Sequence, residues 1–235
     1  MIRPLIILFL LGALQGLVGW IMVMSGLEDA ELLYVSHYKL AIHFILAMGL
    51  VCYAFWFALE LLVPREQISR NSSLRKFANW ITALLVLQLI YGAFMAGLKI
   101  ANAAPTWPDI NGHWFPTDVH HWGSREINGL SFLTDHPIVV HFIHRNLAYL
   151  ISILIFAWWW KASRFNGSQL FRKTRIIPLF IVLVQVALGI LTVLNATDKI
   201  NLLWLGVAHQ FTAMMLLLGM FWITYIVRRG NAVKI

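Results

Sequence analysis

Three histidines recur in one setting: His43 in AIHFILA, His144 in FIHRNLA and His209 in VAHQFTA. Each lies five to seven residues inside an apolar run, which at 1.5 Å per residue is ~8–11 Å below the end of a helix. An ionisable group at that depth in a lipid-spanning segment is expensive and is kept where it holds something. For any one of the three, an interhelical hydrogen bond is explanation enough. Three at matched depth ask for a shared ligand. Two imidazoles with no cysteine or carboxylate beside them are too few for a closed zinc site, which takes four ligands. They suffice for the two axial positions of a heme iron. The expected cofactor is therefore a heme, with His144 and His209 on opposite faces of one ring and His43 a further candidate metal ligand. Apolar helix faces would bury the porphyrin, and cations near the interface would meet its propionates. Arg145 stands beside His144, Lys39 one turn outward of His43, and Lys99 at the end of the third apolar run.

Elements of a particular kind must carry these groups. The 235-residue chain is 60% hydrophobic and 12% charged, far from the usual soluble balance. Apolar runs near 20 residues, long enough to cross ~30 Å of hydrocarbon, fall at 5–23, 38–62, 77–97, 138–160, 176–194 and 202–227. They are continuous rather than alternating, which excludes a closed β-barrel. The expected fold is an all-α membrane protein with six transmembrane helices in three hairpins. The first helix of each hairpin carries Gln-x-x-x-Gly (Gln15 and Gly19, Gln88 and Gly92, Gln185 and Gly189) and the second carries the histidine. Small residues one turn apart let helices approach closely, and that alone accounts for the spacing. The expected division is an N-terminal hairpin at 1–63 and a C-terminal four-helix bundle at 77–228, with a long outer loop at 98–137. In an up-down bundle the fourth and sixth spans are diagonal, so His144 and His209 can face one centre.

The formal charge of +8 does not point to nucleic acid. Thirteen of eighteen Lys and Arg lie in 63–76, in 161–175, after 227 or at Arg3, all on one side of six alternating spans. Eight of ten acids (Glu28, Asp29, Glu31, Asp109, Asp118, Glu126, Asp135, Asp198) lie on the other. This is the positive-inside pattern of a multi-pass protein with both termini cytoplasmic, embedded in lipid. The lone Cys52 sits within the second span and reads as a small buried apolar residue. Trp20, Trp56, Trp80, Trp158 to Trp160, Trp204 and Trp222 read as interfacial belt residues. The loop aromatics Trp107, Trp114, Phe115, Trp122 and Phe132 predict a structured cap. Aligning HFI at 43–45 with HFI at 141–143 selects His141 rather than His144. Depth does not decide between them, since the two share a helix face one turn apart.

Several stretches resemble the membrane heme A synthase family: LQGLVGWIMVMSGL (14–27), VSHYKLAIH (35–43), LQLIYGAFMAGLKIANAAPTWPDINGHWFP (87–116), HFIHRNLAY (141–149) and the segments spanning 182–213. The resemblance covers nearly the whole chain. It implies an oxidoreductase of heme biosynthesis that turns a ring methyl of heme O into the formyl group of heme A. It implies two four-helix halves, heme b in the C-terminal half and the substrate heme O in the N-terminal half. By motif, His144 and His209 are the axial ligands of heme b, and His43 is an N-half heme ligand.

The chain departs from that family at its start, which corresponds to the third helix. The first hairpin, with its own histidine–arginine pair, and the first outer loop, with an acidic residue tied to catalysis, have no counterpart. The family's outer-loop cysteine pairs are also missing. Three expectations remain open: a misassigned or truncated start, a shortened branch pairing its first hairpin with an oligomeric neighbour or a heme-biosynthesis partner subunit, or a protein keeping only the heme b half. The third would be a non-catalytic bis-histidine b-type cytochrome or an inactive family member. A heme-free transporter would want paired carboxylates inside the spans, and Glu60 is the one acid embedded there.

Overall fold

The computed structural model describes residues 2–27, 34–127 and 129–228. Glu28, Asp29, Glu31, Arg229 and Lys234, all part of the charge asymmetry read from the sequence, lie outside the described residues. The helices are α1 (Ile2–Met24), α2 (His37–Leu62), α3 (Ser72–Gly97), α4 (Phe132–Asp135), α5 (Pro137–Ser163), α6 (Gln169–Thr174), α7 (Ile177–Leu194) and α8 (Lys199–Ile226). Among the described residues six helices are long and apolar enough to cross a membrane, with α6 and α7 forming one span. The protein is an all-α, multi-pass membrane protein.

Local chemistry sets the helix starts. Asn71 caps α3 by accepting from the Leu74 amide at 3.0 Å, and Asp198 caps α8 by accepting from Ile200 and Asn201 at 2.9 and 3.0 Å. Such caps satisfy backbone donors that have no partner inside the helix. Proline stands in the first turn of α5 and of α7, where its missing N–H costs nothing. His136 caps α5: its Nδ1 accepts from the Val139 amide at 3.3 Å while Nε2 donates to the His121 carbonyl at 3.0 Å. That pair of bonds needs a neutral imidazole with its proton on Nε2.

Helices α3, α5, α7 and α8 form a closed four-helix ring in which each packs on two neighbours, leaving α5 and α8 diagonal. Helix α2 packs against α3 and α8, and α1 packs against α2. No residue of α1 is buried. Its exposed Phe9, Leu10, Leu17 and Trp20 suit a helix with one protein-facing side and the rest toward lipid.

The densest core fills the end of the bundle away from the 98–136 loop. Leu74, Ile81, Ile155, Phe171, Met220, Ile223 and Tyr225 are fully buried there, and Cys52 belongs to the same cluster as a small apolar side chain. Trp158 corrects the sequence reading. It is 1% exposed, not a belt residue, and its Nε1 donates to the Leu74 carbonyl at 3.0 Å. The indole fills the space between α5 and α3 and bonds a helix carbonyl there. Trp80, 73% exposed, is the belt type. Trp158→Ala is expected to destabilise the protein by about 3–5 kcal/mol through a cavity of indole size, with Trp80→Ala nearly neutral. Thermal unfolding in one detergent, comparing the two variants, checks this.

The connections at that end are tied together. Ser69 donates its amide to the Ile226 carbonyl at 2.7 Å, its hydroxyl accepts the Ser168 amide at 2.8 Å, and Gln67 Oε1 accepts the Leu170 amide at 3.1 Å. These bonds fix the helix ends that carry the histidines at their other extremity.

Candidate functional site

Between α3, α5, α7 and α8, toward the loop end, lies a cavity of about 370 Å³, within the usual range for a ligand site. His144 from α5 and His209 from α8 face each other across it, with ring centroids 6.4 Å apart and planes at 67°. Leu85, Leu89, Ile151, Val182 and Leu216 line the apolar remainder. Helix periodicity places both rings on the inner faces of diagonal helices, as the sequence predicts.

Each histidine is met by the preceding helix. Gln88 Nε2 donates to His144 Nδ1 at 3.2 Å and lies 3.3 Å from its Nε2. Gln185 Nε2 donates to His209 Nε2 at 3.2 Å. In the N-terminal hairpin Gln15 Nε2 donates to His43 Nε2 at 3.3 Å and to the His43 carbonyl at 3.1 Å. Helix approach alone, which accounts for the Gln-x-x-x-Gly spacing in sequence, leaves out these glutamine side chains, although their position one turn before each glycine on the same face carries the signal.

This contact also separates His144 from His141. His144 occupies the place that His43 and His209 hold in their hairpins. His141 is fully buried, lines the same cavity, and has no hydrogen-bond partner at either ring nitrogen among the described residues. His43 does not line this cavity. It sits between α1 and α2, and among the described residues no imidazole pairs with it as His209 pairs with His144. Lys39 is half-buried on α2, with no hydrogen bond or ion pair among the described residues. Lys99 lies over the Tyr34 ring, 3.4 Å from its centroid.

Arg145 is 8% exposed and does something the sequence did not suggest. Its Nη1 donates to the Asp109 carbonyl at 2.7 Å and Nη2 to the Ala104 carbonyl at 2.6 Å. The guanidinium thus pins the outer loop over the cavity mouth. Trp107 adds a second tie, its Nε1 donating to the Tyr149 hydroxyl at 2.8 Å. Just after these ties Asn111 and Gly112 adopt left-handed backbone, at φ 55° and 84°, and close a tight reversal. Ile110 and His113 exchange backbone hydrogen bonds at 2.9 and 3.1 Å. Asn-Gly is the standard signal for such a turn, so this feature was readable in INGH.

Farther along the loop, His121 and Trp122 pair with Glu126 and Arg125 in a two-residue antiparallel ladder. Asp118 Oδ1 accepts the amides of His120 and His121 at 3.0 and 3.1 Å, and His121 Nδ1 lies 3.2 Å from Oδ2. The amide bond from His120 leads the causes that hold the Asp118 carboxyl below its ordinary range. A depressed carboxyl contributes stability above its unfolded value and loses it as pH falls through the folded one. Protection of the His120 and His121 amides, followed by hydrogen exchange against pH, should therefore persist through mildly acidic conditions. It should collapse only below the usual carboxylate range. The loop's other end is held by Asp135, which meets His37 at 3.2 Å and accepts from the Tyr38 hydroxyl at 2.9 Å.

The site suits a bis-imidazole heme on three counts. Two metal–nitrogen bonds of about 2 Å, with the imidazole radii, span roughly 6 Å between centroids, close to the 6.4 Å observed. The Nδ1 of His209 is buried without a partner, as is expected of a nitrogen reserved for another group. The ring edges rest against glycines whose missing side chains leave them room.

Comparison with known proteins places the chain in a family. Residues 1–221 match the COX15-CtaA family, described as cytochrome oxidase assembly protein. The chain belongs to that family. As a cytochrome oxidase assembly family member it is 35% identical to the heme A synthase of Nitrosospira multiformis, over 94% of this chain and 60% of that protein. It is 36% identical to the heme A synthase of Flavobacterium psychrophilum, over 92% of this chain and 61% of that protein. With the heme A synthase of Beijerinckia indica it shares 39% identity over 91% of this chain and 57% of that protein. This family member thus spans about three-fifths of the length of the curated relatives it matches. No solved structure matches it.

Proposed function

We propose that the protein is an oxidoreductase of heme A biosynthesis that oxidises a ring methyl of heme O to the formyl group of heme A. Heme b is the proposed resident cofactor and heme O the substrate. The observation that carries this reading is the His144–His209 pair, 6.4 Å apart across one apolar cavity, in a chain of this family. When bound there, a heme supplies one-electron transfer. Conversion of methyl to formyl removes four electrons and four protons when the oxygen comes from water, so the reaction needs an electron acceptor besides the protein.

The chain's own contributions are binding, orientation and exclusion of water. His144 and His209 present their rings from diagonal helices, and the apolar walls shed water. Arg145 holds the loop over the mouth and keeps Nε–H buried without a partner among the described residues, a donor for a propionate. Lys39 is the proposed cation for a propionate in the N-terminal hairpin, where His43 is the proposed metal ligand. The hairpin at 1–63 and the bundle at 77–228 are the proposed functional units. Both termini are placed in the cytoplasm and the spans in the inner membrane, on the charge asymmetry. A segment outside the residues of this chain, an oligomeric neighbour or a heme-biosynthesis subunit is the proposed source of the group opposite His43.

A second reading, a b-type cytochrome without catalysis, is favoured by one observation: the C-terminal ring of helices holds a matched pair, while His43 has no imidazole opposite it among the described residues. Expressing the chain as sole candidate in a strain that makes heme O separates the two. Extracted heme A supports the oxidoreductase. Heme O without heme A, alongside a bound low-spin heme, supports the cytochrome.

A further inference from the structure

The same arrangement is built three times, and its parts are not those that close helix packing alone would select. A Cβ added at Gly19 would meet His43 Cε1 at 2.8 Å, at Gly92 it would meet His144 Cε1 at 3.3 Å, and at Gly189 it would meet His209 Cε1 at 3.0 Å. In every case the nearest atom is the carbon between the two ring nitrogens. Other helical glycines lack this ring contact: Gly12, Gly16, Gly49 and Gly206 have nothing within 4 Å, Gly219 meets Ile181 at an ordinary 3.6 Å, and Gly97, ending α3, meets the Cβ and Cα of His37 at 2.6 and 2.7 Å rather than a ring carbon. One turn before each close glycine a glutamine amide reaches a nitrogen of the same ring, at 3.2–3.3 Å. The ring is therefore held at two edges, by an absent side chain and by an amide.

We propose that Gln15, Gln88 and Gln185, each with its glycine, are positioning residues that fix the orientation and hydrogen bonding of His43, His144 and His209 as heme ligands. This rests on the heme-ligand reading above. The carboxamide suits the task because it carries both a donor and an acceptor and can serve either state of a ring nitrogen. When one nitrogen binds metal, the other carries the N–H, and an acceptor for that N–H fixes the tautomer and raises the basicity of the ligand. Glycine suits the task because any side chain would push the ring out of the space it fills. The repeat read from the sequence is then a repeat of ligand seats, and the packing of the hairpins follows from it.

The test uses the full chain purified with heme and reads the ferric low-spin resonance, the midpoint potential and the heme affinity. Gln88→Leu and Gln185→Leu should keep both histidines but shift the g-values, move the potential upward, and weaken heme binding about 10–100-fold, the usual effect of losing such an outer partner. Gln185→Glu, which keeps the reach and the acceptor, should bring the potential back to or below the wild-type value. Gly189→Ala should also shift the g-values, whereas Gly219→Ala on α8 should not. Should the leucine variants not fold, the Gln185→Glu and Gly189→Ala pair carries the comparison. Wild-type g-values, potential and affinity in the glutamine and glycine variants overturn the proposal while leaving the bis-histidine site standing. A wild-type protein with no low-spin heme overturns both.

Discussion

Replacing His144 or His209 with alanine is expected to abolish the low-spin heme signature and to weaken heme binding by more than about 100-fold, since partners outside the metal's own ligands already contribute 10–100-fold. The two rings are the paired imidazoles of the cavity, and removing either would leave one protein nitrogen instead of two to hold a heme. His141→Ala is the informative companion. It lies one turn from His144 on the same helix face and lines the same cavity, yet no glutamine holds it. It should leave a low-spin, six-coordinate heme. Optical and resonance spectra of the three variants check the set, and a low-spin heme lost with His141 but kept without His144 would reverse the assignment.

The second large effect concerns Arg145. Hydrogen bonds to a charged group contribute roughly 1.5–3 kcal/mol each, and this buried guanidinium makes two, to the carbonyls of Ala104 and Asp109. Arg145→Leu is expected to cost about 3 kcal/mol and to raise amide exchange across residues 103–113, where the Asn111–Gly112 turn loses its anchor. Arg145→Lys should not restore protection, because a single ammonium on a flexible stem cannot reproduce a planar fork reaching two acceptors. The ligand spectrum should survive in both variants, since the seat of His144 is made by Gln88 and Gly92. Hydrogen exchange and spectroscopy on one preparation separate loop from ligand.

The spans were legible because lipid imposes a simple rule: the apolar run predicted at 138–160 is the helix Pro137–Ser163, and the run at 38–62 is His37–Leu62. The diagonal relation of His144 and His209 followed from depth and alternation. What the sequence could not convey is which atoms share a cavity. His141 and His144 differ by one turn; an internal echo in sequence favours the former, and the latter is the one that Gln88 contacts. Arg145 was placed by its neighbour in sequence and not by its reach, which is long enough to leave the helix and bond the loop. Trp158 was assigned to the membrane interface because tryptophans near span ends often lie there. In the fold a neighbouring helix carbonyl and a packed core claim it instead.

Whether the bundle holds a heme between two imidazoles is read by electron paramagnetic resonance of the oxidised, purified full chain, with iron and heme quantified. At least one low-spin ferric bis-imidazole heme per chain is expected, lost in His209→Ala. A protein that takes up no heme, or one whose heme is high-spin or indifferent to His209→Ala, would contradict it.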